Sequence, residues 1–262
     1  LTDPVSGLIM GMTAEVLARE FQITREQQDE YALMSHQRAL EATAEGILQQ
    51  EIVPVPLGAS QSELLDLDKG PREGSSMESL GKLKPYFDRK NGTVTVGNSS
   101  QITDGAAALL VMGEKEAKRR KIEPLGYIRD YQYAALEPER MGLGPAHATA
   151  KLLESTKASM QDFKRIELNE AFAAQVIANE IAFSSEKFAQ SELNRTKPLG
   201  ELNRDIMNVH GGAIALGHPV GMTGARLVLT LLKELHRSNE NTGLATLCIG
   251  GGQGAAFFVE VS

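Results

Sequence analysis

Leu244-Ala245-Thr246-Leu247-Cys248-Ile249 is a continuous apolar run that stops at Gly250-Gly251-Gly252. Its length is that of a strand, and a strand apolar along its whole length is buried on both faces. Helices must then cover both sides of its sheet. Residues 255–261 read as the last strand, returning through the glycine turn. From about residue 123 the pattern alternates: strands at 125–129 and 165–168, helices at 171–182 and 221–236. This alternation predicts an α/β layer architecture.

The first part of the chain has a different texture. Residues 1–50 read as helical, with capping-box spacing at Thr24 and Gln27 and a helix stop at Gly46. Residues 54–81 are rich in Pro, Gly and charge and read as an ordered surface loop, a length that usually carries function. Thr93-Val94-Thr95-Val96 reads as a strand of β-formers. Residues 105–112 fit a buried strand or the start of a helix. Residues 114–120 form a charged helix.

The chain has 262 residues, enough for one large domain or two smaller ones. With 42% hydrophobic and 23% charged residues it has the profile of a soluble globular protein. A formal net charge of −7 and the lack of a long basic run argue against nucleic acid as a partner. Lys118-Arg119-Arg120-Lys121, the tight basic cluster, reads as a helix C-terminus whose cations meet the carbonyl dipole. A single cysteine excludes an internal disulfide and points to a reducing compartment, the cytoplasm or the mitochondrial matrix. No apolar run reaches the ~20 residues of a transmembrane helix, and no metal motif stands out. The start at Leu1 reads as a processed or truncated product, or as the second piece of a split protein.

Three residues can do chemistry, and each has a structural alternative. Cys248 meets a glycine turn whose free N–H groups suit an oxyanion, or it is a small inert core residue. His218, between Gly217 and Pro219, is presented by a rigid turn for proton transfer, or it is a satisfied structural histidine. Asn169 stands where a strand gives way to a helix. It serves as the N-cap, or its amide holds a water in an oxyanion site.

Taken in order, these motifs resemble the thiolase family. The match is carried by Asn169-Glu170-Ala171-Phe172-Ala173, by 211–226 with Gly217-His218-Pro219, and by 248–254. It extends to Met10-Gly11-Met12-Thr13-Ala14-Glu15, Lys82-Leu83-Lys84-Pro85, Gly97-Asn98-Ser99-Ser100 and Asp104-Gly105-Ala106-Ala107. The resemblance implies a layered α/β fold of two βαβαβαββ halves. Residues 1–92 would be the loop domain over CoA, 93–122 the last elements of the N-terminal half, and 123–262 the C-terminal domain.

The activity implied is acyl transfer between 3-ketoacyl-CoA and CoA, with no cofactor besides these substrates. The family's nucleophilic cysteine lies upstream of the matched region. It would come from an N-terminal thiolase chain or a missing segment, in a dimer or dimer of dimers. By resemblance, His218 deprotonates that nucleophile, Asn169 holds the water of one oxyanion hole, Cys248 moves the proton of the acetyl-CoA methyl, and Gly250 N–H serves a second oxyanion hole. Arg72 would face the CoA nucleotide, although residues 54–76 depart from the family pattern. Met10, Phe87 and Phe172 would line the pantetheine channel, and Ser100 would bond the pantetheine amide. Ile9, residues 183–205 and Asp130-Tyr131-Gln132-Tyr133 resemble the degradative members, which often carry His where this chain has Asn169. A biosynthetic acetoacetyl-CoA thiolase and a non-catalytic CoA-binding subunit are the alternatives.

Overall fold

The computed structural model describes residues 1–58 and 63–261. Two helices open the chain, α1 (Met10–Glu20) and α2 (Arg25–Ala44). The capping box at the start of α2 is present in full: Thr24 Oγ1 accepts from Gln27 N, and Gln27 Oε1 accepts from Thr24 N. α2 ends just before Gly46, whose φ is +73°. The stretch read as a plain loop, 54–81, holds more structure than expected. A small hairpin forms from β1 (Val55–Leu57) and β2 (Glu63–Leu65), followed by α3 (Met77–Gly81). Residues 59–62 of that stretch lie outside the described residues, as does Ser262.

Residues 93–96 are not a strand. Val94 and Thr95 are fully buried, but side chains take their N–H groups in place of a ladder. The Glu15 carboxylate accepts from Thr93 N and Val94 N at 3.0 and 2.9 Å, and Asn98 Oδ1 accepts from Thr95 N at 2.8 Å. Residues 105–112 correct a second expectation. They run without helix or ladder, largely exposed, with Leu109 alone packed against a core cluster. No described strand lies alongside to pair with them, and apolar residues without a ladder partner gain little from extending. α4 (Glu114–Arg120) follows as expected. Its basic end is engaged by Glu114 and Glu116 within the helix.

The main sheet has the order β3-β6-β5-β4, from β3 (Tyr127–Ala135), β4 (Arg165–Leu168), β5 (Thr242–Ile249) and β6 (Gln253–Glu260). β4 and β5 are parallel, and the other pairs are antiparallel. Met207 adds a parallel bridge beyond β4 at Ile166. α5 (Gly144–Thr156) packs on one face. α6 (Ala173–Ser184), α7 (Glu186–Glu192) and the single turn α8 (Ala213–Leu216) follow β4, and α9 (Thr223–Ser238) covers the other face. α9 turns Leu227, Val228, Leu231, Leu232 and Leu235 inward onto Ala245 and Val259. That is the helical spacing of one apolar stripe. The α5 face belongs to a larger core that also takes in Leu17, Ile23, Tyr31 and Ala32 of the first two helices and their connection. Helix thus covers both faces of β5, as its apolar run requires. Among the described residues no helix is long and apolar enough to cross a membrane.

Candidate active site

β4 and β5 run side by side, and their C-terminal ends deliver Asn169 and Cys248 to one edge of the sheet. Leu168 registers with Thr246, and Asn169 N donates to Thr246 O at 3.0 Å. Ligands of open α/β sheets gather at such carboxyl ends. Cys248 lies two residues further along β5, buried and free of any disulfide. It belongs to an apolar cluster with Ala14, Ala171 and Phe172, against which Met10 and Phe87 pack. The Phe87 and Phe172 rings meet edge to face at 6.0 Å. Four of the predicted residues, Met10, Phe87, Phe172 and Cys248, therefore share one apolar wall. Burial pushes the Cys248 thiol up to about 12, so it is protonated at neutral pH.

Asn169 is not the helix cap. The N-cap of α6 is Phe172, with no side-chain cap. The two residues between them leave Asn169 outside the helix, where its Nδ2 faces His218 Nε2 at 3.4 Å. His218 follows Gly217, whose φ of +97° gives the tight presentation that glycine allows. On the far side of the ring, Nδ1 lies 2.6 Å from Thr223 Oγ1. The Thr223 hydroxyl donates to Pro219 O at 3.1 Å, so it accepts from Nδ1–H. Nε2 is then the bare lone pair, which the Asn169 amide donor complements. Burial, with the charge of Arg226, lowers the His218 pKa to about 4. A neutral imidazole whose Nε2 carries a lone pair is a base.

Arg226 is held on the other side. Its Nη1 donates to Glu167 at 3.0 Å. Burial drives the Glu167 carboxyl up to about 8 against that attraction.

Ser100 is half-buried and joined to the same loop, its N–H donating to Ala171 O at 3.0 Å. Gly250 is exposed at the turn after β5, with the Met10 sulfur beside it. Arg72 stands apart. Its side chain is exposed, and its backbone N–H donates to His36 Nδ1 at 3.3 Å. A surface recess beside the His218 loop is lined by Thr103, Asp104, Gly105, Pro219 and Met222. A separate cleft along His147, Lys151, Glu192 and Arg195 contains none of the predicted residues.

Sequence reasoning gave Glu170 no role. Its buried carboxylate accepts from Tyr31 Oη at 3.0 Å, Ser35 Oγ at 2.6 Å, Asn208 Nδ2 at 3.0 Å and Ile214 N at 3.3 Å. It pins α2, α8 and the 169–172 turn together. A charged residue just before an apolar helix was the available signal. Thr223 was also passed over; a hydroxyl five residues after a histidine carries no signal of its own.

Family models match the whole architecture: that of the thiolase N-terminal domain over residues 1–115, and that of the C-terminal domain over 122–261. The chain belongs to the thiolase family. A curated relative, the 3-ketoacyl-CoA thiolase of Serratia proteamaculans, is 45% identical over 98% of this thiolase chain. The match takes in 59% of that relative, so this chain spans about three-fifths of its length. The crystal structure of the Bacillus anthracis acetyl-CoA acetyltransferase superposes with a TM-score of 0.89 at 41% identity, over 99% of this chain and 62% of that one. Human mitochondrial 3-ketoacyl-CoA thiolase does so with a TM-score of 0.86 at 35% identity, over 100% and 62%. The mixed α/β layers around the β3-β6-β5-β4 sheet are those of the thiolase fold.

Proposed function

We propose that this chain supplies the acid/base half of a 3-ketoacyl-CoA thiolase site. The observation that carries the reading is the juxtaposition at the sheet edge: a neutral His218 whose Nε2 faces Asn169, on a strand end adjoining the buried thiol of Cys248. The 3-ketoacyl-CoA thiolases among the relatives support the degradative reaction.

In that reaction a cysteine thiol outside this sequence loses its proton to His218, and the thiolate attacks the C3 carbonyl of the 3-ketoacyl-CoA. The C2–C3 bond breaks, and its electron pair forms the enolate of acetyl-CoA. Cys248 protonates C2, a role that suits a thiol kept protonated by burial. Gly250 N–H stabilises the enolate oxygen, and a water held by Asn169, with His218, stabilises the thioester oxygen. CoA then gives its thiol proton to the Cys248 thiolate and attacks the acyl-enzyme. The first cysteine leaves and recovers its proton from His218.

Residues 1–92 cover the CoA, with Met10, Phe87 and Phe172 along the pantetheine, Ser100 on its amide and Arg72 at the nucleotide. The nucleophile comes from a polypeptide segment joined to this chain or held as a separate chain, in a dimer or dimer of dimers. A lone cysteine fits a reducing cytoplasm.

Turnover by the purified assembly tests the proposal. Thiolysis of 3-ketoacyl-CoAs longer than acetoacetyl-CoA is the expected result. Activity confined to acetoacetyl-CoA means the biosynthetic enzyme, and CoA binding without acylation means a non-catalytic subunit. Denaturing intact mass locates the acylated cysteine on this polypeptide or a second one.

A further inference from the structure

The glycine turn after Cys248 is gripped from the other end of the chain. Asp3 is buried, 1% exposed, and its two carboxylate oxygens have separate duties. Oδ1 accepts from Val5 N at 2.9 Å, Ser6 N at 2.8 Å and Ser6 Oγ at 3.2 Å, closing the 3–8 loop. Oδ2 reaches across and accepts from Gly251 N at 2.9 Å. The loop is itself fixed: Asp3 N donates to Leu8 O at 2.8 Å, and Met10 N donates to Leu1 O at 3.0 Å.

The far end of the turn is held as well, because Leu136 N donates to Gly252 O at 2.8 Å. Gly251 and Gly252 have φ of +84° and +77°, a path that glycine follows freely and that needs outside contacts to select one conformation. Between the two clamps stands Gly250, whose N–H has no hydrogen-bond partner among the described residues.

We propose that Asp3 is a positioning residue for the oxyanion donor: by holding Gly251 N–H, its carboxylate keeps Gly250 N–H aimed at the thioester oxygen of the acetyl unit. The inference rests on the proposed function, which gives Gly250 that task. A donor preset in direction costs no reorganisation when charge develops on the oxygen, and removing one such donor costs on the order of 100- to 1000-fold in rate.

The test is exchange of the acetyl-CoA methyl protons with deuterated solvent, in the thiolase assembly that contains this chain. Three variants are compared. Asp3→Asn keeps the shape but turns an N–H₂ or a weaker acceptor toward Gly251. Ser6→Ala loosens the same loop and spares the Gly251 contact. Cys248→Ala removes the proton carrier. Asp3→Asn is expected to slow exchange by about 10- to 100-fold, a partial loss of one donor, with acetyl-CoA affinity unchanged. The Gly250 amide proton shift on acetyl-CoA binding disappears with it, while Ser6→Ala retains both rate and shift. Exchange at the parental rate in Asp3→Asn overturns the inference. So does an equal loss in Ser6→Ala, which would assign the effect to loop order. Undiminished exchange in Cys248→Ala sinks the proposed function and the inference with it. Loss in Cys248→Ala alone sinks only the role of Asp3.

Discussion

Asn169 and Glu170 are neighbours and equally buried, yet the two sides of their turn treat polar atoms in opposite ways. On the helix side, Glu170 is saturated by four donors from three segments. On the sheet-edge side, Asn169 Oδ1 has no partner among the described residues, and its Nδ2 makes one long contact to His218. Buried polar atoms are nearly always paired within the fold, and one that is not calls for an explanation. A saturated group is a fastener; Asn169, at the end of a parallel strand, leaves an acceptor open. The same divide separates Tyr31, Ser35 and Asn208 from His218 and Cys248.

The strongest way to break this comparison is to remove one group from each side. Cys248→Ala should lower acetyl-CoA methyl exchange by roughly 10²–10⁴-fold, the range of positioned acid/base catalysis, with thermal unfolding near the parent's. Glu170→Ala should do the reverse. Stranding four buried donors should cost at least about 4 kcal/mol in urea unfolding, since each unmet group costs about 1–3 kcal/mol. A Glu170→Ala protein as stable as the parent would dissolve the distinction.

The pH dependence sharpens it. His218 and His36 are both lowered from 6.5 to about 4, first by burial and then by Arg226 and Arg72 respectively. Between these values the unfolded chain binds protons that the folded chain refuses. Their contribution is therefore flat above pH 6.5 and is lost as pH falls from 6.5 toward 4. Stability of His218→Gln, measured by urea titration across that window, should fall less steeply than the parent's; an identical slope would show that His218 titrates normally.

A smaller effect tests the fixed tautomer. Thr223→Val should lower turnover about 10-fold, the cost of roughly 1.4 kcal/mol of misplaced base, and Thr223→Ser should not. The ¹⁵N shifts of His218 should show the Nδ1–H form in the parent and a mixture in Thr223→Val. Least of all, Thr24→Ala should cost about 1 kcal/mol by uncapping α2, the helix that carries Tyr31 and Ser35 to Glu170. Urea unfolding reads that value.

Local pattern announced the elements whose reasons are local. β4 stands at 165–168 as the alternating pattern placed it, and β5 is a strand buried by helices on both faces. The capping box of α2 was legible because all its atoms lie within four residues. What escaped depends on distant partners. The 93–96 segment is extended in composition, but Glu15 and Asn98 take its N–H groups. Residues 105–112 are apolar, with no strand among the described residues to pair with. α5, which begins Gly144-Pro145, received no assignment from local pattern, although Pro is well placed in a helix's first turn. In the site, Cys248 and His218 were visible as motifs. The directions of the Asn169 amide and of the His218 lone pair were not, since Thr223 and the α6 boundary set them. Asp3 looked like an ordinary residue beside a proline.

The Asp3–Gly251 contact also has a place in time. It closes a loop of 248 residues, and loops that long are among the last to close, after nearer contacts have formed. On a ribosome adding roughly 5–20 residues per second, the first helices wait tens of seconds before the turn that Asp3 holds is made. The chain would thus emerge with its helical framework already collapsing and the turn after β5 still slack. The β5–β6 hairpin would lock the turn in a single late step.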